Sequence, residues 1–402
     1  MTELLQPPSE HNHDPESQEE LDKDRARTSV KRKAEEDLLG SSGKIACEVA
    51  SRYTTLNYKH VDALSQAVKR VRATQRPALP KTAQDVHSVM ASLNDPSLET
   101  ITNDAENNLI IISSIQNLRY LAESSTVLGD GTFKHCPKHF YQLYTIHAHG
   151  SNNLYVPCVF CLLKDKKQTT YELMLVSLRD TMASKGLSFA PDNFHVDFEV
   201  SMHNAIKNTL TGTTIQGCQF HLGQAWFRQI QQLGLSVHYT DNNSELGKVL
   251  KCFFALPALN PSEISAAFSE LTSLQQDNDA YDSFKKYVSS TYIKPFSLFP
   301  PVLWAGLEVV NTTNACESFH RHLASIVKVA HPNIYLFLDA LRQQQTMSIL
   351  KIRSGECAVP LRPSRLKKEL KKKKAMDRLR AGHSSLLEFL QEACFSMLPP
   401  RL

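Results

Sequence analysis

Apolar and polar positions follow one rhythm in the first quarter of the chain and another after it. Residues 44–75 place Ile45, Val49 and Tyr53, then Val61, Leu64, Val68 and Val71, near helical spacing, which predicts two short helices. Pro77 and Pro80 end them, and another short helix is expected over 83–93. From residue 109 the runs become strand-like: 109–115, 126–133, 139–147 and 154–163, rich in Tyr, Ile, Val and Phe. Short turns at 136–137 and 150–153 predict an antiparallel meander. Next, Tyr171, Leu173, Leu175, Leu178 and Met182 mark an amphipathic helix that Gly186 stops. A strand over 194–198, a helix around 200–210, a strand over 213–218 and a helix over 219–232 follow. Residues 244–292 read as three helices punctuated by Pro257 and Pro261, and a proline-rich link leads to a helix around 312–328. This order predicts a mixed α/β layer, with an antiparallel edge to the sheet and helices over it.

Composition narrows the class. The chain has 402 residues, 42% hydrophobic and 21% charged, enough for a sizeable core and too long for one small domain. Wholly disordered, collagenous, coiled-coil and small disulfide-bridged classes are excluded. No apolar run approaches the ~20 residues of a membrane helix, and the first residues do not read as a signal peptide. Nine scattered cysteines read as reduced thiols, which makes nucleus or cytoplasm the expected compartment. Cys158 and Cys161 stand three apart in a strand-like run, so they are expected to face opposite sides as core thiols.

Charge is placed unevenly. Residues 362–380 hold ten Lys/Arg against Glu369 and Asp377, a net of +8; the whole chain carries +4, so the remainder carries −4. Arg365, Lys367, Lys368, Lys371, Lys372, Lys373 and Lys374 form the heart of this stretch. It reads as a basic tail for DNA phosphates or for an import receptor, or else as the solvated face of a helix near the end. Residues 1 to about 40 are polar and poor in large hydrophobics, and are expected to be mostly disordered.

Three acids occupy places that chemistry can use: Asp130 late in a strand, Asp197 at a strand end, and Glu317 in the helix after the 244–292 segment. A lone strand-end acid is often a turn former. Three acids meeting at one sheet edge would instead hold one or two Mg²⁺ ions through oxygen ligands.

The phrases around these acids resemble Mutator-like element (MULE) transposases. Gly129-Asp130-Gly131-Thr132-Phe133 with Phe140 and Gln142-Leu143 resembles the first catalytic block. Tyr171 and Leu173 match the helix that follows, and Asp197-Phe198-Glu199 with Ala205-Ile206 the second block. Cys218-Gln219-Phe220-His221-Leu222 resembles the C-x-x-H block, and Asn314 with Glu317-Ser318-Phe319-His320 the third acidic block. The acids lie 67 and then 120 residues apart, and the similarity runs over about residues 60–345. Ser201 and Thr313 stand where the family usually has Ala and Asn.

The resemblance implies an RNase H-like fold with an all-helical insertion before the last acid. It implies Asp130, Asp197 and Glu317 as Asp-Asp-Glu ligands of Mg²⁺ or Mn²⁺, with Glu199, His320 and Asn314 in support and Cys218 and His221 as the family pair. The family's chemistry is cleavage and transfer of DNA strands in the nucleus, by a homo-oligomer assembled on DNA and without a small-molecule cofactor. A dormant DNA-binding or interaction protein of the same ancestry, and a metal-dependent nuclease without strand transfer, are the alternatives. His11 and His13 look like the last ligand pair of a FLYWCH-type zinc finger. No Cys precedes them, so the finger is expected to be truncated and zinc to be absent. Cys136 and His139 offer a paper partner set for Cys218 and His221. The expected division is 1–43 disordered, 44–118 helical, 119–235 first part of the core, 236–300 insertion, 301–345 last core helix and 346–402 basic tail.

Overall fold

The structure, a computed structural model, describes residues 16–37, 40–75, 78–95, 98–150, 154–274, 278–306, 314–353 and 363–398. His11, His13 and Thr313 lie outside the described residues, as do the side chains of Asn314 and Arg365. Among the described residues seven strands make one mixed sheet: β1 (Glu99–Asp104), β2 (Leu109–Ser113), β3 (Thr126–Thr132), β4 (Gln142–His149), β5 (Tyr155–Leu163), β6 (Asn193–Val196) and β7 (Thr214–Gly217). Their spatial order is β1-β2-β5-β4-β3-β6-β7. Pairing is antiparallel from β1 to β3, and β6 and β7 then add in parallel. β2 and β5 are buried almost throughout, as their unbroken apolar runs require of strands covered on both faces. β1 was not expected. It is a half-exposed edge strand, Glu-Thr-Ile-Thr-Asn-Asp, and an edge needs no apolar run to be held.

β5 carries a correction. Cys158 and Cys161 bury in the same layer rather than on opposite faces. The register with β4 slips between Ile146/Val159 and His147/Pro157, so Cys158 is an unpaired extra residue. A bulge of this kind inverts the inside–outside alternation.

Three N-terminal helices, α1 (Gln18–Glu36), α2 (Ser42–Ala50) and α3 (Tyr58–Gln75), share a core of their own around Ala26, Val30, Val49, Leu64 and Val68. The described part of the segment expected to be disordered is therefore helical. Its buried positions recur every four residues: Asp22, Ala26, Val30 and Ala34. Small side chains suffice there because helices pack closely over them, and the buried Asp22 accepts a 2.7 Å hydrogen bond from Thr55 Oγ1. Low mean hydropathy hides such a seam.

Helices cover both faces of the sheet. α5 (Ile115–Ala122), α6 (Gln168–Ser184) and α7 (Val200–Thr209) pack Leu118, Tyr171, Leu178 and Ile206 on one face. α4 (Ala83–Ala91), α13 (Asn314–Val327) and α14 (Ile334–Arg353) pack Met90, Phe319, Leu323 and Phe337 on the other. Between the last strand and α13 lie α8 (Gln219–Gln232), α9 (Ser236–Thr240), α10 (Glu245–Cys252), α11 (Ile264–Ser273) and α12 (Asp279–Val288). The stretch expected to be a tail holds two more helices, α15 (Pro363–Arg380) and α16 (Leu386–Met397). Phe389, Leu390, Ala393 and Cys394 of α16 are buried in the core of the α9–α12 segment. The lysines of α15 dominate the composition there and mask the amphipathic α16 behind them. Among the described residues no helix is long and apolar enough to cross a membrane.

Trp226 of α8 is the hub of this helical layer. It meets Phe254, Tyr292 and Trp304 edge-on, with centroids 6.1, 5.8 and 5.9 Å away, and is fully buried. Trp226→Ala is expected to cost about 3–5 kcal/mol. A urea titration would read this as a lower midpoint with an unchanged slope.

Candidate functional site

The site grows from the middle of the sheet, where β3 lies between an antiparallel and a parallel neighbour. Asp130 sits near the end of β3 and is almost fully buried. Its flanking glycines have a steric reason. A Cβ at Gly129 would come within 2.4 Å of Tyr144 Oη and 2.8 Å of Phe194, and one at Gly131 would overlap the Gln142 side chain. The backbone N–H of Gly131 donates to Asp130 Oδ1 at 2.9 Å.

Asp197 follows β6 directly. Continuing the parallel register Leu128↔His195 by two residues brings Asp197 beside Asp130. The turn after it is fixed by His203 of α7, whose Nε2 donates to the Asp197 carbonyl at 2.7 Å. Burial raises the Asp197 carboxyl; His221 opposes this, and the like charge of Asp130 adds to it.

Glu317 arrives on α13. That helix sets Cys316, Phe319, Leu323 and Val327 into the cores against the sheet, Cys316 beside Leu128 of β3. Glu317 lies one position round from this apolar stripe, and His320 one turn further on. Burial raises Glu317 to about 7, against the pull of His221 and with the push of Asp130. The shared influence of Asp130 on both other acids makes the three one electrostatic unit.

Two histidines answer these charges. His320 Nδ1 lies 3.4 Å from Asp130 Oδ2, and its Nε2 is 3.1 Å from Thr145 Oγ1 on β4. His147 Nε2 reaches the same hydroxyl at 3.3 Å, so a buried polar chain stands behind Asp130. His221, on the first turn of α8, has Nε2 3.6 Å from Glu317 Oε1. That is an ion-pair distance and not a hydrogen bond, and Glu317 Oε1 is buried without any hydrogen-bond partner. Burial works against charge on His221, but the adjacent Cys218 and the carboxylates of Asp130 and Asp197 outweigh it and raise the imidazole to about 10.

Glu199 stands on the other flank. The Tyr171 hydroxyl lies 2.9 Å from Gln142 Oε1 and 3.3 Å from Glu199 Oε2, tying α6 and β4 to the turn after β6. Burial, then Asp197, raises the Glu199 carboxyl. Sequence reasoning named Tyr171 and Gln142 only as block residues and passed over Thr145 and His147. Their roles depend on cross-strand and cross-helix contacts with no signature in spacing.

The structure thus brings Asp130, Asp197, Glu317, His221, His320, Cys218 and Glu199 into one region. Cys136 and His139 stay apart from it: Cys136 is buried near α13 and α14, and His139 Nε2 faces the Pro80 carbonyl at 3.3 Å. Lys367, Lys368 and Lys371–Lys374 lie on α15. Among the described residues no three His, Cys, Asp or Glu side chains stand as a ready-made set of metal ligands. The donor chemistry nevertheless suits a hard divalent cation: three carboxylates, Asp130 acting on each of the other two, and one of them with an orphaned buried oxygen.

Residues 126–225 match the family model described as the MULE transposase domain. The match contains Asp130, Asp197, Cys218 and His221 and ends before Glu317. No curated protein matches the chain.

The raised Glu317 carboxyl carries a pH signature. Its folded value of about 7 exceeds its ordinary 4.5, so the native state prefers the protonated form and loses stability as pH rises between the two. Without divalent metal, Glu317→Gln is expected to be more stable than wild type above pH 7, by up to about 3 kcal/mol. The two proteins should converge at pH 4.5 and below. Thermal melts across this range check it, and a Gln variant less stable at high pH would contradict the assignment.

Proposed function

We propose that this chain, which carries a MULE transposase domain at residues 126–225, is a metal-dependent DNA-strand-processing protein. Asp130, Asp197 and Glu317 are its metal ligands, on an RNase H-like core. The observation that carries this reading is the electrostatic union of three acids from β3, the end of β6 and α13, two of them side by side across a parallel strand pair. Support for the fold comes from the order of the central five strands, with three antiparallel followed by two parallel, and from the helices between β7 and α13.

The chain's own residues prepare the site. His320, backed by Thr145, holds Asp130 in place. His221 neutralises part of the acid cluster from the start of α8. Tyr171, itself anchored at Gln142, reaches Glu199 next to Asp197 without using up the ligand carboxylates. Mg²⁺ or Mn²⁺ bound to the three acids would stabilise charge on the attacking and leaving oxygens of a DNA phosphodiester. A nuclease that stops at hydrolysis uses the same residues and differs in its products.

A dormant, DNA-binding descendant is the second reading. It is favoured by the absence, among the described residues, of a preassembled ligand set.

Two measurements separate the readings. Mn²⁺ or Mg²⁺ is expected to raise the melting temperature of wild type and not of Asp130→Asn, because a ligand bound only to the folded state stabilises it. Metal-dependent nicking of supercoiled DNA, and of duplexes carrying candidate terminal repeats, should fall to background in Asp197→Asn. Folded wild type with neither a thermal shift nor nicking would leave the dormant reading. Joined strands beside nicked ones would mark transfer.

A further inference from the structure

The lysine-rich segment near the C-terminus is a docked helix, and only part of its charge is spent on docking. Residues 363–380 carry nine Lys/Arg against Glu369 and Asp377, a net of +7. Ala375 of α15 is fully buried, and Met376 and Leu379 pack on the same helical core. Two arginines finish the attachment: Arg380 forks onto both oxygens of Glu263, and Arg378 pairs with Glu392 of α16 at 3.2 Å. Among the described residues none of Lys367, Lys368, Lys371, Lys372, Lys373 and Lys374 has an ion-pair partner. All are exposed except Lys372, which is half-buried.

These lysines repel one another as placed. Lys367 and Lys371, Lys368 and Lys372, and Lys371 and Lys374 are neighbours on the helix surface, where like charges destabilise the helix. A polyanion laid along them removes that cost. Lys367, Lys371 and Lys374 form one stripe of about 10 Å, from a rise of about 1.5 Å per residue. Duplex DNA presents one charge per roughly 1.7 Å of its axis.

We propose that α15 is a phosphate-gripping surface for duplex DNA, held by its C-terminal half on the helical layer and sequence-independent in what it binds. The choice of duplex DNA rests on the strand-processing reading above; the helix geometry does not. An import receptor that takes a basic stretch as an extended strand needs a free backbone. Here the backbone is committed to helical hydrogen bonds and the end is clamped by Arg380 and Glu263.

The test uses the full chain, a random-sequence duplex and a salt series. Two variants accompany wild type: Lys367, Lys371 and Lys374 all changed to Gln, and the same three changed to Arg; EDTA throughout keeps divalent metal from the acids, so that no strand is cut. Three lost phosphate contacts should lower the slope of log affinity against log salt by about 2.7. Between about 50 and about 200 mM salt, the Gln variant should then lose roughly fortyfold less affinity than wild type. The Arg variant should keep the wild-type slope, and with no metal available to the acids the slope reports this helix and not the acid cluster. Equal melting temperatures would show that the exposed substitutions leave the fold intact. A Gln variant with the wild-type slope overturns the proposal. So does salt-insensitive duplex binding by wild type alongside tight capture of the segment by an import receptor.

Discussion

Two aspartates forced side by side at the ends of parallel strands set the terms for the rest of the structure. The β3–β6 register, continued two residues past Leu128 and His195, brings Asp130 and Asp197 together, and both are removed from much of the solvent. Buried like charges demand compensation. It comes from opposite sides: His320 with Thr145 behind Asp130, and His221 from the first turn of α8. Gly129 and Gly131 belong to the same constraint, since side chains there would push Tyr144, Phe194 or Gln142 out of the packing that surrounds the acids.

Glu317 reaches this pair through packing rather than through the sheet. Cys316 and Phe319 lock α13 against β3, β4 and β5, and Phe319 lies 5.4 Å from the His147 ring and 5.6 Å from that of Phe160. A helix held so firmly by its apolar stripe fixes the direction of the residue beside that stripe. The acid is therefore presented by hydrophobic contacts, while its own oxygen Oε1 is left without a hydrogen bond. Apolar packing and the unpaired carboxylate oxygen thus fall to adjacent residues of one turn.

Much of the core was legible in sequence because its signals are local. The meander, the helix holding Tyr171, the short strand before Asp197 and the helix holding Glu317 all show in period and punctuation. What stayed hidden depends on partners far along the chain. The β1 edge strand is polar because an edge can be, and the Cys158 bulge shows only against β4. α1 buries alanines that carry little hydrophobic signal, and α16 sits behind a run of lysines. The phrases around the three acids draw attention to them in sequence, whereas the Thr145–His320 link joins residues 175 apart and has no spacing rule.

The seating of α16 bears on the order in which the molecule is made. Phe389 and Leu390 close a core begun by Leu222 and Trp226 and continued through Phe253 and Phe284. During synthesis from the N-terminus, the sheet and its flanking helices leave the ribosome well before those closing side chains do. The middle helical layer consequently waits, apolar side open, for the final helix of the described chain, and α13 with Glu317 emerges during that wait. Completion of this layer is a late, long-range event, so a chain stopped short of α16 would leave the core around Phe253 and Phe284 unclosed while still possessing all three acids.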